Sequence, residues 1–204
     1  MLIEINPYSP DQRLIKDVVQ HLRKGAVIIY PTDTVYSMGC DFNNKKALEK
    51  LSKLKGVKLK QANFSIICED LSNISDYTTT IDRSVFKLLK KSLPGPFTFI
   101  LPASRIIPKT FDNKKSTIGI RVPENDIIRA IVAELGNPLV TTSIHDEDEI
   151  MEYSTDPYAI YEKYENDVDF VIDGGFGNLD ASTVIDCTGD YPEIIRQGIG
   201  EIDL

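Results

Sequence analysis

A chain of 204 residues with 42% hydrophobic content is long enough for one sizeable core, and no Pro/Ser-rich or low-complexity stretch divides it. Its three cysteines are odd in number and dispersed, it has two histidines, and neither H-E-x-x-H nor G-x-x-x-x-G-K-[ST] occurs, which excludes a disulfide framework, a zincin and a P-loop nucleotide site. The net charge of −8 is unevenly placed, with residues 1–115 holding 19 of the 23 Lys and Arg against 11 acids and residues 116–204 holding 4 against 20, an asymmetry compatible with a basic face for phosphates or RNA and equally with a solvated surface.

The first residues lack a basic start leading into an apolar core. No apolar run reaches the roughly 18 residues of a membrane span, so one cytoplasmic domain over residues 1–204 is expected. From Asp11 to Lys24, Leu14, Ile15, Val18, Val19 and Leu22 fall on one helical stripe, and Gly25 stands where a C-terminal capping glycine belongs. His21 reads as a boundary residue of this helix. A run of β-formers, Ala26 to Tyr30, is stopped by Pro31 and followed by Thr32, Asp33, Thr34, Tyr36 and Ser37. Short polar side chains at a strand end suit ligand binding in an α/β sheet, or they bond their own backbone in a strand-to-helix connection.

Asn43 and Asn44 can cap a helix whose apolar face is Ala47, Leu48, Leu51 and Leu54. Lys45, Lys46, Lys50 and Lys53 line its other faces, and Lys55, Lys58 and Lys60 continue the run. The helical lysines read as a solvated face, whereas a phosphate role competes for the later ones. A strand over Phe64 to Cys68 is followed by a helix capped by Asp82 and carrying Val85, Phe86, Leu88 and Leu89. Next comes a strand within Pro94 to Leu101, with Phe97 and Phe99 as core residues. The polar segment holding Lys109, Lys114 and Lys115 reads as an exposed loop before the strand Thr117 to Val122.

Arg121, in an otherwise apolar strand, must be salt-bridged or hold a ligand carboxylate, because an unpaired buried cation is costly. A helix is expected over Pro123 to Leu135 with Gly136 as its stop, then a strand Leu139 to Thr142 bearing hydroxyls at Thr141, Thr142 and Ser143. The acidic stretch Asp146 to Asp169 contains a helix near Asp156 to Glu165 with Pro157 in its first turn. Gly174 to Gly177 reads as a turn, and strands Thr183 to Asp186 and Glu193 to Arg196 close the chain. Eight strands and about five helices in irregular alternation predict an α/β fold, a mixed twisted sheet with helices packed outside and an open concave face.

Six strings in this order, YPTDTVYSMGCD, PGPFTFIL, TIGIRVP, PLVTTS, STVID and RQG, resemble the YrdC-like family, the threonylcarbamoyl-adenylate synthases, and NFSIICEDLSNISDY resembles its YciO branch. The resemblance implies the YrdC-like fold and a reaction of L-threonine, bicarbonate and Mg-ATP that gives threonylcarbamoyl-adenylate and pyrophosphate for a tRNA modification. It implies that Arg121 contacts threonine, with Thr34, Thr117, Thr141, Ser143 and Ser182 as further substrate contacts. Lys55, Lys58, Ser143, His145 and Arg196 are implied at the nucleotide, and Lys55 and Arg121 as the catalytic cations. Two departures fall in the nucleotide half. Val57 stands where a K-G-R triplet has arginine, and His145 where an S-x-N pair has asparagine, so a bidentate fork and an amide are absent. Two alternatives stay open, a double-stranded RNA or tRNA-binding module without turnover and an enzyme acting on a related adenylate.

Overall fold

Alternation along the strands decides which residues face which layer, and here the two layers differ. The computed structural model describes residues 1–58, 64–107, 116–144 and 154–204. Lys60, Lys109, Lys114, Lys115 and His145 lie outside the described residues. The strands are β1 (Leu2–Glu4), β2 (Val27–Tyr30), β3 (Ser37–Asp41), β4 (Ser65–Ile67), β5 (Phe97–Pro102), β6 (Thr117–Arg121), β7 (Leu139–Ser143), β8 (Phe170–Asp173), β9 (Thr183–Asp186) and β10 (Glu193–Arg196). The helices are α1 (Gln12–Arg23), α2 (Lys45–Leu54), α3 (Ile74–Tyr77), α4 (Arg83–Ser92), α5 (Asp126–Leu135) and α6 (Pro157–Tyr164). All ten strands join one mixed sheet in the order β1-β8-β2-β3-β7-β4-β6-β5-β9-β10.

Local chemistry sets the helix ends. Asp11 accepts from the Arg13 N–H, Asn44 from Ala47, Asn125 from Ile128 and Asp156 from Tyr158, each satisfying a first-turn donor. Asp82 sits at the N-cap of α4 without a side-chain bond. Gly136 ends α5 at φ 77°, a left-handed conformation that glycine adopts without a Cβ penalty.

Three expectations are corrected. After Tyr30 the chain does not enter a helix but returns antiparallel as β3, pairing Tyr30 with Ser37. The polar residues between close the loop on themselves, Thr34 N–H donating to Thr32 Oγ1 at 3.0 Å and Thr32 Oγ1 to the Val35 carbonyl at 2.9 Å. The helix expected from Pro123 begins only at Asp126, because Asn125 is its extended cap. The sheet holds ten strands instead of eight. Among those without a sequence expectation, β3 is buried at all five positions, so it lacks the polar alternation of a half-exposed strand.

One face of the sheet is apolar along most of its width. Val27, Met38, Val140, Ile66, Ile120, Phe99 and Ile185 form a single cluster with α2 through Leu48 and Leu51, α4 through Val85 and Leu89, and α6 through Ile160. The other face is apolar over only part of the sheet. There α1, through Ile15, Val18, Val19 and Leu22, packs with Ile127, Ile128, Ile131 and Val132 of α5 on Ile28, Phe170, Ile172, Leu139 and Ile67. Each such fully buried side chain contributes about 1.5–3 kcal/mol of transfer free energy.

Candidate functional site

The rest of that second face is the candidate site. Since Val140, Ile66, Ile120, Phe99 and Ile185 point into the larger core, their neighbours along each strand point the opposite way. Those neighbours are Thr141, Ser65, Gly119, Arg121 and Thr98. Ser182 joins them through its Oγ, 2.8 Å from Thr98 Oγ1. Aligned registers set Thr141 beside Ser65 and Ser65 beside Gly119, which makes a polar floor across β7, β4 and β6. A Cβ on Gly119 would collide with Ser65 Oγ and meet Thr98 Cγ2 at 3.4 Å, so the floor is filled to contact without a side chain there.

Arg121 stands at the end of β6 with only 5% of its surface exposed. Its Nη2 donates to Asp33 Oδ1 at 2.9 Å and to Thr34 Oγ1 at 3.0 Å. The Asp33 side chain is buried to the same degree, and its second oxygen accepts the Glu124 N–H at 3.0 Å. The sequence alternatives for Arg121 are therefore not exclusive, because the ion pair exists and the guanidinium is not exhausted by it. Its Nε is buried and has no hydrogen-bond partner among the described residues. Burial pushes the Arg121 guanidinium below its ordinary pKa, the Asp33 charge acts against that, and the Arg196 charge adds to the lowering. Two arginines thus share a neighbourhood in which one carboxylate contacts Arg121, an environment that favours an incoming anion.

Arg196, on the exposed strand β10, reaches back to the floor. Its Nε and Nη2 donate to the Ser182 carbonyl at 3.2 and 2.8 Å, and Nη2 lies 3.2 Å from Ser182 Oγ. On the other side, Lys55 follows the last turn of α2 and its Nζ donates to the Ser143 carbonyl at 2.7 Å, which ties it to the end of β7. Burial lowers the Lys55 pKa. Tyr30 donates to Thr141 Oγ1 at 2.7 Å, so the Thr141 oxygen is an acceptor within the protein and its hydrogen can be given to a ligand. Burial raises the Tyr30 pKa, keeping it a neutral donor.

The expected residues do not all converge on one point. Thr34 touches Arg121, Ser182 touches Arg196, and Lys55 touches Ser143. Thr117 shares the face of Arg121 but lies four residues away on β6, roughly 13 Å at the strand rise. Lys58 is exposed beyond the turn after α2, and Val57 is 38% exposed there. His145 lies outside the described residues. Asp33, Thr98 and Asn178 join the site without having been expected as site residues. Asp33 was legible as part of the polar string and Thr98 as the polar member of Phe97–Thr98–Phe99, while nothing local marks Asn178. Among the described residues, no group of three or more His, Cys, Asp and Glu is placed to hold a metal ion.

Fold and site together define a mixed α/β protein with a partly open sheet face, a hydroxyl-lined floor and a buried arginine at its edge. The chain belongs to the Sua5/YciO/YrdC family, whose model, described as telomere recombination, matches residues 20–198, and it is of the YciO type. It is 39% identical to the YciO protein of Escherichia coli strain K12 over 200 residues, covering 97% of this chain and 95% of that one. The crystal structure of E. coli YciO superposes with a TM-score of 0.91 at 37% identity, covering 98% of this chain and 97% of that one. A threonylcarbamoyl-AMP synthase of Coxiella burnetii is 34% identical over 135 residues, 66% of this chain and 72% of its own. Sua5 of P. abyssi, solved in complex with L-threonine, shares the fold at a TM-score of 0.87 and 23% identity, over 97% of this chain and 57% of that one. Among the described residues, no helix is long and apolar enough to cross a membrane.

Proposed function

We propose that the protein is a nucleotidyltransferase of the threonylcarbamoyl-AMP synthase kind, acting on L-threonine, bicarbonate and Mg-ATP and feeding a tRNA adenosine modification. The observation that carries the reading is the buried Arg121 guanidinium, whose Nε–H has no acceptor among the described residues, beside a hydroxyl floor. A donor of this kind is left unmet at a cost of about 1–3 kcal/mol unless a ligand supplies the acceptor, and a carboxylate is a strong one. The Coxiella relative, a threonylcarbamoyl-AMP synthase, and P. abyssi Sua5, solved with L-threonine, support threonine as the substrate.

In this reading the threonine carboxylate takes the Arg121 Nε–H, and Thr141 donates from the floor. The threonine amine adds to carbon dioxide drawn from bicarbonate and loses a proton to form a carbamate. A carbamate oxygen then displaces pyrophosphate at the α-phosphorus. The protein supplies positioning and charge, not a nucleophile. Lys55 and Arg196 neutralise phosphate oxygens, with Lys58 nearby in the chain. Magnesium enters as part of the nucleotide, held by its phosphates. Val57 removes a bidentate phosphate contact, so nucleotide affinity rests on these remaining cations.

Calorimetry with ATP and threonine, separately and together, coupled to pyrophosphate release, tests the proposal. Binding of both with release of pyrophosphate is expected, and no binding of either would overturn it. The synthase reading is preferred to RNA binding because Lys45, Lys46 and Lys53 stand on α2, packed against the face opposite the floor, and Lys50 pairs with Asp169 at 2.8 Å. RNA binding would instead show as an affinity falling steeply with salt.

A further inference from the structure

The loop 31–36 carries a carboxylate that the reaction above does not use. Asp33 gives one oxygen to Arg121 Nη2 and the other to the Glu124 N–H, and its own carbonyl accepts from Asn178 Nδ2 at 3.0 Å. Asn178 holds the loop a second time, its N–H donating to the Thr34 carbonyl at 3.1 Å. The segment bearing Asn178 is pressed on the loop from Gly174 onward. Tyr36 OH donates to the Gly175 carbonyl at 2.7 Å and lies 3.3 Å from the Gly174 N–H. A Cβ on Gly174 would come within 2.7 Å of Pro31 Cγ, and one on Gly177 within 2.8 Å of Tyr36 Cδ2, so these glycines let the segment lie directly against the Pro31 and Tyr36 rings.

We infer that Asp33 is the positioning residue of the site, clamped by Asn178 and the Glu124 N–H so that it fixes the Arg121 guanidinium through Nη2 in the orientation that receives the substrate carboxylate. The inference rests on the proposed function for the identity of that carboxylate, but the positioning itself does not. Three independent ties on one aspartate exceed what a neutralising counterion needs. With one Asp33 oxygen on Arg121 and the other on the Glu124 N–H, the side chain is held from both ends and in turn holds the arginine. It also offsets the Arg121 charge within the pair.

The test uses the full chain. In nitrogen-15 NMR of the arginine side chains, rotation of the Arg121 guanidinium is expected to be slow in the wild type, because Nη2 has two fixed acceptors. Asp33→Asn should speed it, and should weaken threonine binding by roughly tenfold to hundredfold, the scale of a charge-assisted hydrogen bond, with little change in ATP affinity. Asn178→Ala, which removes one tie and leaves the ion pair, should move both readings the same way by a smaller factor. It decides the matter if Asp33→Asn does not fold by circular dichroism. Unchanged guanidinium rotation in a folded Asp33→Asn or Asn178→Ala variant overturns the inference. So does faster rotation with undiminished threonine affinity, or an equal loss of ATP and threonine affinity. A wild type with slow rotation that binds no threonine would sink the synthase reading while leaving Asp33 as the residue that orders Arg121.

Discussion

Replacing Arg121 with methionine removes one member of an ion pair whose side chains are 7% and 8% exposed, and strands the Asp33 carboxylate. Breaking such a pair from one side costs about 3–5 kcal/mol, because the remaining charge stays desolvated, whereas removing both charges is near neutral when shape is kept. Against a total stability of about 5–15 kcal/mol for a domain of this kind, the single variant should stay folded but be visibly weakened. The double variant Arg121→Met with Asp33→Asn should recover roughly 2–4 kcal/mol of the loss, since the side-chain amide oxygen that replaces the carboxylate can still accept the Glu124 N–H. Urea titrations followed by far-ultraviolet circular dichroism suit the measurement, as the chain has no tryptophan. A loss below about 1 kcal/mol in the single variant, or a double variant no more stable than the single, would refute the reasoning, since the pair would then be too well hydrated to act as buried charge.

Lys55→Met should leave stability at neutral pH unchanged or slightly raised while nucleotide affinity falls by about 1.5–3 kcal/mol, because a desolvated ammonium costs the folded state wherever it is charged and that cost vanishes only above the ordinary lysine pKa. Calorimetry and urea titration read the two effects. Val57→Arg with His145→Asn should raise nucleotide affinity by about 1–3 kcal/mol, measured by ATP titration, and no gain would mean that other cations already do the work of the fork. Gly119→Ala should destabilise the fold by about 1–3 kcal/mol, seen as a lower urea midpoint, since its Cβ collides with Ser65 Oγ and lies 3.1 Å from Ser65 Cβ. Burial pushes the Asp169 carboxyl up, but its bonds from Lys50 and the Val27 N–H, with the Lys50 charge, outweigh that and hold it below its ordinary value. Its stabilisation is thus present above the unfolded aspartate pKa of about 4 and is lost as pH falls through the folded value. The stability difference between wild type and Asp169→Asn should shrink on acidification and stay below about 1 kcal/mol at neutral pH, as the pair is 41% exposed.

The sequence by itself determined five of the six helices and the class of fold, because amphipathic periodicity and end chemistry are local. The stripe of α1, the asparagine cap of α2 and the glycine stop at Gly136 all depend on residues within one or two turns. It also placed a charge and hydroxyls at strand ends, Arg121 and Ser143 among them, whereas Lys55, Ser182 and Arg196 became candidates through the family resemblance. Tertiary structure decided that β3 is a strand and not a lead into a helix, since a strand buried on both faces shows no alternation and owes its conformation to β2 and β7. It decided the partners as well. Asp33 lies 88 residues from Arg121 in the chain and Asn178 lies 145 from Asp33, separations across which no period or motif carries information. Burial then does what sequence cannot show, for it converts an aspartate that could have bonded its own turn into the partner of a guanidinium that must be paired, and leaves one N–H of that guanidinium without a partner among the described residues.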